Sequence, residues 1–569
     1  MQDSDQPTSY AQLLHQWEET GAALANTTCT YLGLCSSLEM LSLSNQAIHR
    51  EDIISQVDGV LKHKALHDIS IAQLAQSQSI LIRTRNRLAS PIQSLPEVVL
   101  TLIFSYVLHY WDPTDDQDIE WQVREYYRRL YTMISVCTVW RNFVTSMGTY
   151  WSIIPIIRES HLSISRQTVS LCLSNSAGAP LDLVIVVPRH APRDMVQGIL
   201  NHTSRIKSIH IATGKVILIQ DIFDQLVQSD DLGLLSELSL CTTDLSHFRR
   251  IDNTLTTMFS FESYPRLLKL IQSLTRLSLY GATIHWRGLK FSTKLIELRL
   301  QQLLVGSTSH LCEFIQAISS AVQLRHLTVI SLYAIVPAAP VNDIYPIISL
   351  PNLQSLVLED LHYDTLSIIL KSIEPGTHKL TLYLTDKCLF RPILNHTHQN
   401  VAVDNTQVRQ LFEGAVVDTL ILGDRYSTQV MKSPTLLSIL AALKQLKTLK
   451  LEECTIDTDM CSLIVSPEPL EFSMGYKIKP ISEWHLTSAK IVNPEAFKEL
   501  VLSHGVQTMV LSGALDHTSK DSMDWRPLCR EDEIVEWLAH NISGFCFERA
   551  QDCPTNRFDF MSRSWQRVR

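Results

Sequence analysis

The sequence predicts an α+β to α/β protein, helical at its N-terminal end and continued by a solenoid with a parallel sheet and outer helices. Three observations predict it. An apolar-x-x-apolar-x-apolar pattern recurs eleven times between residues 206 and 515. A stretch from Ser94 to Trp151 carries apolar residues at helical spacing on more than one face. Ahead of it, residues 60–90 read as one more helix, with Leu74, Leu81 and Leu88 in heptad positions.

Taken in order, residues 1–59 hold two short helical patterns: Leu13, Leu14, Trp17 and Leu24, then Tyr31, Leu34, Cys35 and Leu38. Both are expected to be packing helices. Residues 60–92 form the helix preceding the next segment. Arg83, Arg85 and Arg87 near its C-terminal end suit the helix dipole. Its heptads are too few for a coiled coil, so a helix docked on its own chain is expected. Ser90-Pro91 ends it.

Residues 93–155 form the second segment. Ser94 and Glu97 have capping-box spacing, and Pro96 falls in the first helical turn, where its missing N–H costs little. In the helix expected over 96–108, Val99, Leu102, Ile103 and Tyr106 make one apolar face; Leu100, Phe104, Val107 and Leu108 make another. A helix apolar nearly all round must be covered on both sides. Val136, Cys137, Trp140 and Val144 supply one cover at helical spacing. So short a segment cannot enclose both faces, and Pro96 and Phe104 are expected to stay partly exposed.

Leu95-Pro96-Glu97, Ile103-Phe104-Ser105-Tyr106 and Val136-Cys137 with Trp140-Arg141 beyond them together resemble the F-box family. The resemblance implies three short helices that dock on the Skp-type adaptor of a cullin-based ubiquitin ligase. It assigns Leu95, Pro96, Val99, Ile103, Phe104, Val136, Cys137 and Trp140 to the adaptor contact or its support. The connection from Tyr110 to Gln122 is longer and more acidic than is usual in the family (Asp112, Asp115, Asp116, Asp118, Glu120). A helix just ahead of the Leu-Pro motif resembles the fungal branch. The stretch after Trp151 resembles it too, with a helix near Gln167–Cys172, a small-residue turn and the β-branched strand Leu181–Val187.

The solenoid is placed at 165–520. Its pattern runs from Ile206-Ile209-Ile211 through Leu298-Leu300, Leu327-Val329, Leu356-Leu358 and Leu449-Leu451 to Val506-Met509-Leu511, at intervals of 21 to 40 residues. A unit of one strand and one return helix cannot bury its apolar side alone, so units stack. Leu311–Ile318 and Leu436–Leu443 read as return helices. The pattern resembles irregular leucine-rich repeats, although only Cys454 stands at the family's turn position. Strand residues alternate sides. The side chains between the paired leucines, among them Ser239, Ser278, Arg299, Thr328, Val357, Ile421, Lys450 and His485, are therefore expected on the inner face. Ser278, Arg299 and Thr328 are the candidate contacts for a target protein. Residues 521–569 are the expected cap, with a helix over Asp532–His540.

Composition excludes several classes. Formal charge is −9, without the basic footprint of nucleic-acid binding. No apolar run approaches a membrane span, and no basic-then-apolar start marks a secretory signal. The 12 cysteines lack close pairing and read as reduced thiols. No activated nucleophile, phosphate loop or metal-ligand spacing occurs. His63 with His67, and His396 with His398, each lack a third ligand. The expectation is a cytoplasmic or nuclear protein, not an enzyme, without cofactor, metal or catalytic residues. Its expected partners are a Skp-type adaptor, through it a cullin, and a target protein. The rival expectation is a repeat scaffold whose F-box-like segment is only a packed cap and no longer docks.

Overall fold

The computed structural model describes the chain except residues 1–9, 44–49, 63, 90–91, 93–94, 110–118, 158–165, 188–197, 228–231, 243–263, 282–283, 285, 336–344, 393–399, 424–428, 432, 466–477, 517–524 and 549–569. Two compact units emerge, Met1–Leu102 and Ile103–Arg569.

The first unit is helical: α1 (Tyr10–Leu43), α2 (Arg50–Lys62), α3 (Lys64–Ala89) and the start of α4 (Glu97–His109). The two helical patterns of residues 1–59 are one continuous helix, because no Pro interrupts Tyr10–Leu43 and its glycines, Gly21 and Gly33, are tolerated at modest cost. Neither α1 nor α3 has the expected cover, since every residue of 11–37 and of 68–82 is exposed. Pro96 stands just ahead of α4, and its carbonyl accepts the Leu100 N–H at 3.1 Å, closing the first turn. The proposed cap Ser94 lies outside the described residues.

The second unit opens with the rest of α4, α5 (Ile119–Val136) and α6 (Thr138–Ser146). A mostly parallel 16-stranded sheet comes next. Its strands are β1 (Ile153–Ile157), β2 (Leu181–Val187), β3 (Ile206–Thr213), β4 (Glu237–Thr242), β5 (Arg276–Tyr280) and β6 (Glu297–Gln301). After the short β7 (Leu304–Ser307) come β8 (His326–Ile330), β9 (Tyr333–Ile335), β10 (Ser355–Glu359) and β11 (Lys379–Leu384). Next are β12 (Phe390–Pro392), β13 (Asn400–Ala402), β14 (Thr419–Gly423), β15 (Thr448–Glu452), β16 (Thr455–Ile456), β17 (Glu483–Ile491) and β18 (Thr508–Asp516). The last are β19 (Trp525–Pro527) and β20 (Gly544–Phe547). Large-sheet neighbours keep chain order, while β7–β9 and β12–β13 pair apart. Helices such as Thr308–Ile318 and Ser433–Ala442 return the chain between strands. Sequential parallel strands with helical returns make a mixed α/β fold compatible with a solenoid. The sheet begins at β1, within the segment assigned to 93–155. It is extended through the region assigned to the cap, where β20 pairs parallel to β18.

The leucine pattern sets the register. Leu298 aligns with Leu327, Leu327 with Leu356 and Leu356 with Leu380, all buried. The phase then slips, because Leu420, the counterpart of Leu380 in its unit, pairs with Leu382. The shift is even, so alternation between faces survives it.

A corner recurs at the strand ends. Gly281, Gln302, Ser331, Asp360 and Glu453 all have positive φ. Each turns its N–H onto a strand carbonyl of a neighbouring unit, those of Gln301, Ile330, Glu359, Tyr383 and Thr487. Four of the five are not Gly, so each non-Gly corner stores about 1–3 kcal/mol of strain that the repeated hydrogen bond helps hold.

Candidate functional site

The second unit begins as a helical bundle joined to the sheet. Phe104 is 2% exposed, with its ring 4.6 Å from Trp140 and 5.5 Å from Phe143. His109 stacks on Tyr126 at 5.3 Å. Arg129 donates to the Val107 carbonyl at 3.1 Å, tying α4 to α5. Arg128 and Arg129 bracket Glu125; the Arg128 hydrogen bond leads in holding its carboxyl down to about 2. The Tyr126 hydroxyl donates to the Tyr150 carbonyl at 2.9 Å, and the Trp151 indole N–H to the Val144 carbonyl at 3.0 Å. Tyr127 donates to the Ile153 carbonyl, fastening α5 to β1. Burial pushes the Tyr127 phenol far up, so it stays a donor.

The other side of α4 is bare. Leu102 is 66% and Tyr106 68% exposed, and Val98, Val99, Ile103 and Val107 are also exposed. Val136 and Val139, at the α5–α6 junction, are exposed too. Cys137 caps α6 there: its Sγ accepts the Trp140 N–H at 3.5 Å. Of the residues assigned to an adaptor contact, Pro96, Val99, Ile103 and Val136 are exposed, while Leu95, Cys137 and Trp140 are half-buried. Phe104 contradicts its expectation of partial exposure. Trp140 and Phe143 enclose it, making it the bundle's plug. In the second unit, Tyr106, Val107 and Val139 are exposed apolar residues that were not among the assigned ones.

The inner row of the sheet is the second candidate. Ser239, Ser278, Arg299 and Thr328 align across β4, β5, β6 and β8. They sit on the face opposite the leucines, as alternation demands. Yet Arg299 is only 5% exposed, Ser239 is buried, and Ser278 and Thr328 are half-buried. This part of the row is shielded and not the open patch expected of it. The strands explain part of this: β4 is buried on both faces although it alternates polar and apolar residues, and β2, a near-continuous apolar run of the kind parallel sheets bury on both faces, is buried along nearly its whole length. The phase slip places Ile421, Lys450 and His485 in a different row, continuous with Tyr383.

Polar pairs line this face. Ser208 donates to Asp182 at 2.7 Å, and Arg276 to Glu237 at 2.9 Å. Burial pushes the Glu237 carboxyl up, with Arg276 opposing it. Burial holds the His210 imidazole down to about 4, against the pull of Asp182. His485 is also lowered, by burial and then by Lys450. A cavity of about 160 Å³ lies at the outer end of β15, lined by Cys454, Asp457 and Met460 among others. Among the described residues, no group of three His, Cys, Asp or Glu is placed to hold a metal ion, and no helix is long and apolar enough to cross a membrane.

No family model and no curated protein matches the chain. Among solved structures, a crystal structure of the TLR13–ssRNA13 complex is similar at 14% identity with a TM-score of 0.29, over 58% of this chain and 38% of that one. This chain thus matches well under half of that protein's length, and a likeness of that extent says nothing about what it binds.

Proposed function

We propose that the chain is the substrate-recognition subunit of a Skp–cullin–F-box ubiquitin ligase, built as an F-box joined to leucine-rich repeats. The observation that supports it is α4, which buries Phe104 and Leu108 yet leaves Leu102, Ile103 and Tyr106 in water. Large exposed apolar side chains grouped on one helix suit a surface with a partner, and the F-box-like residues suggest a Skp-type adaptor. The sheet carries the target. Tyr127 fastens the bundle to β1, so adaptor side and sheet are joined within the second unit. A bound target is then held at high effective concentration near the ligase's transfer enzyme. The chain itself catalyses nothing in this reading.

The target contact falls on the part of the inner face beyond the phase slip, away from buried Arg299. Lys450 and His485, half-buried neighbours on β15 and β17, are better placed than Arg299. Replacing Ser278, Arg299 and Thr328 together by Glu would bury a carboxylate at position 299 and so test folding as much as binding. Lys450→Glu with His485→Glu should release a co-purifying target while the adaptor stays. For the adaptor, Leu95→Ala with Pro96→Ala should abolish capture and leave the circular dichroism unchanged. Loss of secondary structure in that variant would instead favour a merely packed cap.

A further inference from the structure

Sulfur gathers around the cavity at the outer end of β15. Seven side chains line it, and three of them carry sulfur: Met431, Cys454 and Met460. The chain has 12 cysteines and 12 methionines in 569 residues, about one residue in 24. Seven positions filled at that rate would hold fewer than one.

Two neighbouring units supply the three residues. Met431 lies in the turn that follows β14, Cys454 at the corner between β15 and β16, and Met460 in the helix Thr458–Val465. Each is held through the backbone. Asp386 Oδ1 accepts the N–H groups of Gln429 and Val430 at 2.7 and 3.0 Å, just ahead of Met431. The Cys454 carbonyl accepts the Lys490 N–H at 2.8 Å. The Met460 N–H donates to Asp457 Oδ1 at 2.7 Å. The side chains differ in freedom: Cys454 is fully buried, whereas Met431 and Met460 are half-buried. A methionine turns about three bonds and adapts its thioether to what lies beside it. The cavity, about 160 Å³, leaves both thioethers room to close on an ion.

Packing accounts for Cys454 by itself, since a buried thiol behaves as a small hydrophobe. It does not account for two thioethers around the same space with Thr455, Asp457 and Asp459. The donor set decides the metal. Zinc takes thiolate, imidazole and carboxylate, and calcium takes about six to eight oxygens. Among the described residues no group of three His, Cys, Asp or Glu is placed for either. Thiolate with thioethers selects Cu(I). Charge agrees. The Cys454 thiol gives up its proton to water as the ion binds, so thiolate and Cu(I) form a neutral pair and no net charge is buried.

We propose that Met431, Cys454 and Met460 form a Cu(I) site that cross-links the β14 and β15 units. The site stands apart from the ubiquitin-ligase reading. Spacing of His and Cys along the chain does not reveal it, because two of its donors are methionines.

The test uses the full chain with isotope-labelled methionine methyl groups. Cu(I) is supplied from a bathocuproine disulfonate buffer, which keeps it from single exposed thiols such as Cys29, Cys35 and Cys546. Met431→Leu and Met460→Leu, made singly, assign the two methyl signals. In the wild type both signals should move together and stop at one equivalent. Cys454→Ser should weaken retention of Cu(I) against the chelator about tenfold or more. So should Met431→Leu with Met460→Leu, a pair that conserves volume and keeps the fold, as circular dichroism checks. Absence of uptake by the folded wild type overturns the proposal. Uptake that leaves both methyl signals in place would mean that other thiols hold the copper, and retention unchanged in the leucine pair would mean that the thioethers are not ligands; either overturns it. An equal methyl response to Zn(II) would mean that Asp457 and Asp459 hold the cation, and it overturns the proposal too.

Discussion

Phe104 and Tyr106 lie two residues apart on α4 and should behave as opposites. Phe104 is enclosed by Trp140 and Phe143, so Phe104→Ala removes a ring from a packed site and leaves a cavity. Such changes cost about 3–5 kcal/mol. Tyr106 is mostly in water, and Tyr106→Ala should cost within about 0.5 kcal/mol. Hydrogen exchange of the α5 and α6 amides reads this locally. If these helices open as a unit, about 3–5 kcal/mol corresponds to exchange about two to three and a half orders of magnitude faster. Tyr106→Ala should leave exchange unchanged, and Tyr106→Asp should still remove adaptor binding. Equal effects of the two Ala variants on exchange would refute the division of α4 into a packed side and a docking side.

The same packing sets other expectations. Leu298→Ala, Leu327→Ala, Leu356→Ala and Leu449→Ala should each cost about 2–5 kcal/mol in denaturant unfolding, while Val357→Ala should cost less. Arg299→Ala should also destabilise, since its side chain is buried. His210 makes stability pH-dependent. Unfolded, it takes a proton near 6.5; folded, only near 4. Above 6.5 its contribution is flat, and as pH falls from 6.5 to 4 the unfolded state binds the proton that the folded state refuses. Stability should therefore fall over that window, by roughly 3 kcal/mol at most, and His210→Asn should flatten the slope. Gly513→Ala would set a Cβ 1.9 Å from the Ala489 carbonyl oxygen, so a lower melting temperature is expected even for this small change.

The leucines made the sheet legible, because a side chain that must be buried on alternate positions leaves a period in the sequence. The phase slip at Leu382 and Leu420 left no such trace: each unit keeps its own pattern, and only their pairing shifts. The left-handed corners were hidden because Gln302, Ser331, Asp360 and Glu453 share a conformation and no residue type. Burial of Arg299 was unreadable for another reason. Alternation says which face a side chain takes, not whether that face is covered. Phe104 was misjudged because two apolar faces on α4 signal two covers without saying which cover is internal; its rings with Trp140 and Phe143 decide that. The continuous α1 reads as two patterns because Asn26, Thr27 and Thr28 separate the apolar groups, whereas the two threonine hydroxyls bond inside the helix.

Titration calorimetry of the purified full chain with a purified Skp-type adaptor tests the central claim most directly. Saturable one-to-one binding is expected, abolished by Leu102→Asp with Tyr106→Asp while the fold is kept. Absence of binding by the folded wild type, or binding that survives those two substitutions, would contradict it.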